Sequence, residues 1–123
     1  MLSVRYGNYV VSGQKLSIDT VRFPPNVKVE SIYTWYTLIM IDPDVSNPDY
    51  VHWLIVNNNK RIVTYEPPLK KHRYVFYLYK QEKEFNVTQE SFEPYRNGFS
   101  INLFTKNNNL TYVTNSYFKL SLF

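Results

Sequence analysis

Three near-continuous apolar runs constrain this chain more than any other feature: Tyr36-Thr37-Leu38-Ile39-Met40-Ile41, Val51-His52-Trp53-Leu54-Ile55-Val56 and Tyr74-Val75-Phe76-Tyr77-Leu78-Tyr79. The first stops at Asp42-Pro43, and the second stops at three asparagines, residues 57–59. Short runs of this kind, bounded by turn formers, read as strands covered on both faces. Three in succession predict the middle of one sheet, with central strands over residues 36–42, 51–57 and 73–80. Shorter pieces flank them: Leu2, Val4 and Tyr6 alternate with polar residues, residues 8–11 follow a turn at Gly7, and Val27 and Val29 follow the Pro24-Pro25 break. Alanine is absent and β-branched and aromatic residues abound, which disfavours long helices. A mainly β fold is expected, with helix confined to short pieces after residue 86.

The last third is less determined. Residues 88–96 suit a short helix with Pro94 near one end, and Asn97-Gly98 suggests a hairpin turn. Residues 99–110 read either as a strand or as a helix capped by Ser100. Residues 111–118 alternate well enough to close a sheet.

The 123 residues match one domain, 1–123, and the 44% apolar and 18% aromatic content excludes disorder. The absence of cysteine excludes disulfides, zinc–thiolate sites and thiol nucleophiles. No apolar run approaches the ~20 residues that span a membrane, and Met1-Leu2-Ser3-Val4-Arg5 lacks a signal-type apolar region. A soluble cytoplasmic chain is expected, with the sequons at Asn86 and Asn109 unmodified. The wealth of Asn, Tyr, Lys and Phe is what an AT-rich coding sequence gives, as in a small parasite or a large DNA virus. The net charge of +4 comes from residues 60–81, where six Lys/Arg face one Asp/Glu. That stretch favours an anionic partner, but the charge is too local for a broad nucleic-acid surface.

Chemistry-bearing residues cluster at the ends of the apolar runs. The first runs into Asp42-Pro43-Asp44, the second opens on His52-Trp53, and the third on His72-Arg73-Tyr74 after Pro67-Pro68-Leu69-Lys70-Lys71. If these strands are neighbours, carboxylates, two imidazoles and a phenol converge at one edge and make a plausible pocket for a small anion. Asp42, Asp44 and Ser46 have calcium-loop spacing, but Pro43 intrudes and the loop glycine and distal glutamate are missing. Ser46 sits in no nucleophile elbow, so hydrolysis is not expected.

Residues 36–44 followed by His52-Trp53-Leu54-Ile55-Val56-Asn57 resemble the first signature of the phosphatidylethanolamine-binding protein family. Pro67-Pro68 followed by His72-Arg73-Tyr74-Val75-Phe76 and Tyr79-Lys80-Gln81 resembles its second. Leu2-x-Val4-x-Tyr6, Gly13-x-x-Leu16 and Arg96-x-x-Phe99 with Phe104 extend the likeness over nearly the whole chain. The resemblance implies a large central sheet packed on a smaller one with few short helices, residues 100–108 being helical. It also implies a pocket for phosphate, a phospholipid headgroup or a phosphorylated residue, formed by Asp42, His52, His72 and Tyr74 with Pro67 and Pro68 on the rim. Lys70 and Lys71 are expected to add charge there. Family members act mainly as non-enzymatic binders and regulators of signalling, including kinase inhibition, so neither catalysis nor a cofactor is expected.

The sequence departs from the family's pattern in places. The loop after Asp44 is short and lacks a second proline, Lys70-Lys71 replace small residues, and no C-terminal helix follows the closing strand before Phe123. A more open pocket is expected, with apolar surface near Phe118, Leu120, Leu122 and Phe123 and a monomer or weak dimer. Both histidines are expected to titrate near neutrality and to hold an anion more tightly when protonated. Two functional readings stay open: an anion-binding module that modulates a regulatory protein partner, and a pocketless protein-interaction module that keeps only the fold.

Overall fold

The computed structural model describes residues 2–30, 34–46, 49–87 and 96–122. In chain order the elements are β1 (Leu2–Tyr6), β2 (Tyr9–Val10), β3 (Lys15–Ser17), β4 (Asn26–Val29), β5 (Tyr36–Asp42), β6 (Tyr50–Val56), β7 (Lys60–Val63), β8 (Arg73–Lys80), α1 (Ile101–Asn107) and β9 (Thr111–Ser121). Six strands form a mixed sheet in the order β3-β9-β8-β5-β6-β7, and three form a smaller sheet in the order β2-β1-β4. Among the described residues only β3 and β9 pair in parallel; the other pairings are antiparallel.

The three apolar runs are β5, β6 and β8, side by side at the centre of the large sheet, and their side chains are buried on both faces. One face carries Leu38, Met40, Trp53, Phe76, Phe118 and Leu120 and packs on Val4 and Tyr6 of the small sheet. The other carries Ile39, Ile41, Leu54, Val56 and Val75, with Phe99, Ile101 and Phe104 against it. Burying large side chains such as these stabilises by about 1.5–3 kcal/mol each, so the two-sided burial explains the unbroken apolar runs. Between the sheets, the Tyr6 hydroxyl donates to Tyr65 Oη at 2.7 Å, and the Tyr65 hydroxyl donates to the Val21 carbonyl at 2.7 Å.

Residues 99–110 take the helical alternative. The Ser100 side chain accepts from the Leu103 N–H at 3.2 Å and caps α1, while Asn109, at φ 52°, supplies the left-handed residue that commonly follows a helix. Gly98, at φ 73°, turns the chain into this cap rather than into a hairpin. Phe118 and Leu120 are fully buried between the sheets, which corrects the expectation of a sticky apolar end around them; Leu122 is half exposed. Phe123 and residues 88–95 of the short helix expected over 88–96 lie outside the described residues, and Arg96, at its end, is not helical.

Candidate functional site

Antiparallel pairing sets the end of β5 beside the starts of β6 and β8. A cavity of about 220 Å³ opens at that end of the large sheet, and Asp42, His52, Pro67, Lys70 and Tyr74 stand in its wall. Val45, Tyr50, Glu66 and Leu69 complete the wall. His72, Pro68 and Lys71 lie outside it: Pro68 is buried, Lys71 is exposed, and His72 reaches the site only through Asp42.

A bulge aims His52. Met40 pairs with Trp53 and Ile41 with Val51, so β6 has one extra residue here, His52. Because of it, His52 and Trp53 face the same side of the sheet, away from Val51 and Leu54. Bulges are commonly used in this way to re-aim a side chain at a site. Residues 64–67 are then fixed against β6 at this point. The Glu66 N–H donates to the His52 carbonyl at 2.8 Å, and His52 Nδ1–H donates to the Glu66 carbonyl at 2.5 Å. Arg96 adds a second tie, donating to the carbonyls of Val51 at 3.0 Å and Thr64 at 2.6 Å.

The remaining polar groups of the wall are engaged within the protein. Asp42 Oδ1 accepts from the Asp44 N–H at 2.9 Å and Oδ2 from His72 Nδ1–H at 2.6 Å. The Tyr74 hydroxyl donates to the Lys70 carbonyl at 2.7 Å and accepts from the Lys70 N–H at 3.3 Å. Burial, followed by the Asp42 charge, raises the Tyr74 pKa. Burial also raises the Tyr50 pKa, helped by a hydrogen bond to the Glu66 carboxylate. Beside the wall, burial raises the Asp49 pKa, and the Asp42 charge adds to it.

His52 departs from the expectation of titration near neutrality. Burial is the largest influence and lowers its pKa below the usual 6.5, against the opposing pull of the Glu66 carbonyl bond and the Glu66 and Asp42 charges. The imidazole is therefore neutral at neutral pH. Its proton is on Nδ1, because a carbonyl can only accept, and Nε2 carries a lone pair.

The basic stretch does not form one patch. Lys60 and Arg61 lie on the edge strand β7 and Lys80 ends β8. Arg73, at the other end of β8, is clamped to Asp44, with Nη2 donating to Oδ1 at 2.8 Å and the backbone N–H to Oδ2 at 2.9 Å. Lys70 alone of the six cations stands in the cavity wall. Among the described residues, no group of three or more His, Asp or Glu is placed to hold a metal ion.

Tyr50 and Glu66 escaped the sequence reading although both were within its reach. Tyr50 lies two residues before His52, with the ring centroids 5.0 Å apart, and Glu66 directly precedes the Pro67-Pro68 pair.

Together, fold and site define a two-sheet β protein with a small, partly polar cavity at the strand ends. No family model matches the chain. It is 31% identical over 121 residues to protein CENTRORADIALIS of Antirrhinum majus, covering 83% of this chain and 67% of that protein. It is 31% identical over 130 residues to protein SELF-PRUNING of Solanum lycopersicum, covering 89% and 73%. Protein FLOWERING LOCUS T of Arabidopsis thaliana is 35% identical over 100 residues, covering 65% of this chain and 57% of that protein. The fold is also that of a carboxypeptidase Y inhibitor solved in complex with its cognate proteinase, with a TM-score of 0.78 at 23% identity over 98% of this chain and 82% of that one. The chain belongs to the phosphatidylethanolamine-binding protein family. Among the described residues, no helix is long and apolar enough to cross a membrane.

Proposed function

We propose that this protein is a non-enzymatic binder that takes a small phosphate-bearing group into the cavity beside His52 and, through its occupancy, modulates a protein partner. The observation that carries this reading is His52 itself. Its side chain is buried, yet Nε2 carries no hydrogen bond among the described residues while the ring forms part of the cavity wall. Unpaired within the described residues yet not sealed from solvent, Nε2 is open to a ligand or to water. Lys70 supplies a cation at the same wall, and Val45 and Leu69 supply apolar contacts. A cavity of about 220 Å³ suits a headgroup-sized ligand rather than a drug-sized one.

The test is a calorimetric titration of inorganic phosphate into the full chain and into the cavity-filling variant Val45→Phe. Saturable binding to the wild type, abolished in the folded variant, supports the reading. If neither protein binds phosphate at millimolar concentration, the family's fold is serving here as a pocketless interaction module.

A further inference from the structure

The small sheet is three strands wide and ends at β4, whereas the large sheet continues through β5 and β6 to an edge at β7. On the face between the sheets, pairing sets Leu38 opposite Ile55 and Ile55 opposite Arg61. Side chains in such a cross-strand row are neighbours. The row grades from a fully buried Leu38, through a half-buried Ile55, to an exposed Arg61. Trp53 and Tyr36 lie two residues from Ile55 and Leu38 along β6 and β5, and so share their face. A bulge at Ile62 turns Ile62 and Val63 to the opposite face, which leaves Arg61 as the cation at this end of the row. With Val27 of β4, these residues line an open cavity of about 290 Å³. It shares no wall residue with the cavity beside His52.

We propose that this cavity is a second binding site, and that it takes a small aliphatic carboxylate, tail against Leu38, Trp53 and Ile55 and head at Arg61. The proposal does not rest on the phosphate reading of the strand-end cavity. A mainly apolar wall with a few polar groups at one end is the usual form of a small-molecule site, and covering that wall with an apolar tail is favourable.

The polar groups decide which amphiphile fits. The Arg61 guanidinium and the Tyr36 hydroxyl have no partner among the described residues. Burial raises the Tyr36 pKa, so the hydroxyl keeps its proton at neutral pH. Both groups therefore donate, and a carboxylate can accept from both, with the guanidinium fork matched to its two oxygens. Among the described residues no Asp or Glu stands in the wall, so nothing competes for Arg61, and a cationic head would meet a like charge. Asn58 fixes the Tyr36 end of the cavity. Its side chain accepts from the Tyr36 N–H at 2.8 Å and donates to the Thr34 carbonyl at 2.9 Å.

The test titrates decanoate, decyltrimethylammonium and acetate into the full chain by calorimetry at neutral pH. Saturable decanoate binding is expected, at least about tenfold tighter than that of decyltrimethylammonium, with no acetate binding in the same range. No decanoate binding, equal affinity for the two ten-carbon ligands, or acetate binding as tight as decanoate overturns the proposal. Arg61→Glu, at an exposed position, is expected to reverse the order of the two ten-carbon ligands; an unchanged order overturns the assignment of the head to Arg61. Val45→Phe, which fills the strand-end cavity, is expected to leave decanoate binding unchanged while abolishing that of phosphate. Loss of decanoate binding in the folded Val45→Phe protein places the ligand beside His52 and overturns the second site. Should that variant not fold, the Trp53 indole N–H resonance of the wild type decides: it shifts saturably with decanoate if the site is here, and a resonance that stays still overturns it.

Discussion

His72 Nδ1–H donates to Asp42 Oδ2 at 2.6 Å, joining an imidazole that is 26% exposed to a carboxylate whose side chain is only 3% exposed. The bond crosses from the loop before β8 to the end of β5, so it also holds the cavity's wall together. His72 thus positions Asp42 and does not itself face the cavity. Removing the imidazole leaves a buried carboxylate with one partner, the Asp44 N–H. His72→Ala is expected to cost about 1.5–3 kcal/mol of stability, the usual range for a hydrogen bond to a charged group. Asp42→Asn should cost a similar amount, and the double variant clearly less than the sum. Urea unfolding of the four proteins measures this coupling; strictly additive losses mean that the bond has no energetic weight.

Acid should destabilise the fold through His52. Its folded pKa lies below the unfolded value of about 6.5, so the unfolded chain binds the proton more readily. The stability that depends on a neutral ring is fully present above about pH 6.5 and is lost as pH falls through the folded pKa. Each unit of difference corresponds to about 1.4 kcal/mol. Unfolding free energies measured from pH 7.5 down to pH 5 should therefore decline more steeply in the wild type than in His52→Gln, which cannot titrate. Parallel slopes in the two proteins would falsify this.

The tie between the sheets can be cut with one oxygen. Tyr65→Phe removes both the acceptor for the Tyr6 hydroxyl and the donor to Val21, leaving the buried Tyr6 hydroxyl without its partner. A loss of about 1–3 kcal/mol is expected, and Tyr6→Phe in the same background should recover part of it. No recovery in the double variant means that Tyr6 finds another partner.

Arg73 and Asp44 form an ion pair near the cavity rim, half exposed on the arginine side. The hydrogen bonds from Arg73 hold the Asp44 carboxyl below the usual carboxylate range, so the pair's contribution is present above about pH 4 and is lost as pH falls through the folded pKa. Solvent screening limits it to about 0.2–1 kcal/mol. Arg73→Ala should lower stability by that amount at low salt and by less at high salt. A loss that does not change with salt points instead to lost packing of the arginine stem.

The strands were legible because their signal is redundant: Leu38, Ile39, Met40 and Ile41 are all buried in β5, whichever face they take. Neighbourhood then followed, since short connections between such runs bring the end of one beside the start of the next. The bulge at His52 was not legible, because an extra residue in a wholly apolar run leaves no break in alternation to detect. The protonation state of the ring was hidden for a related reason: Glu66, whose carbonyl fixes it, lies 14 residues away and meets β6 only in three dimensions. The basic stretch misled as to its extent, since Lys60 and Lys80 stand at the ends of two different strands. Helix and strand compete evenly over residues 99–110, and the Ser100 cap with Asn109 behind the helix decides for helix.

The central claim, that the cavity beside His52 is a ligand site, is tested most directly by nitrogen-15 NMR of the imidazoles during a phosphate titration. The account predicts that His52 shows a protonated Nδ1 and a bare Nε2 at the outset, and that Nε2 alone shifts in a saturable manner as phosphate is added, with Nδ1 held by Glu66 throughout. Phosphate that shifts His72 or neither ring, or a His52 that begins with its proton on Nε2, contradicts it.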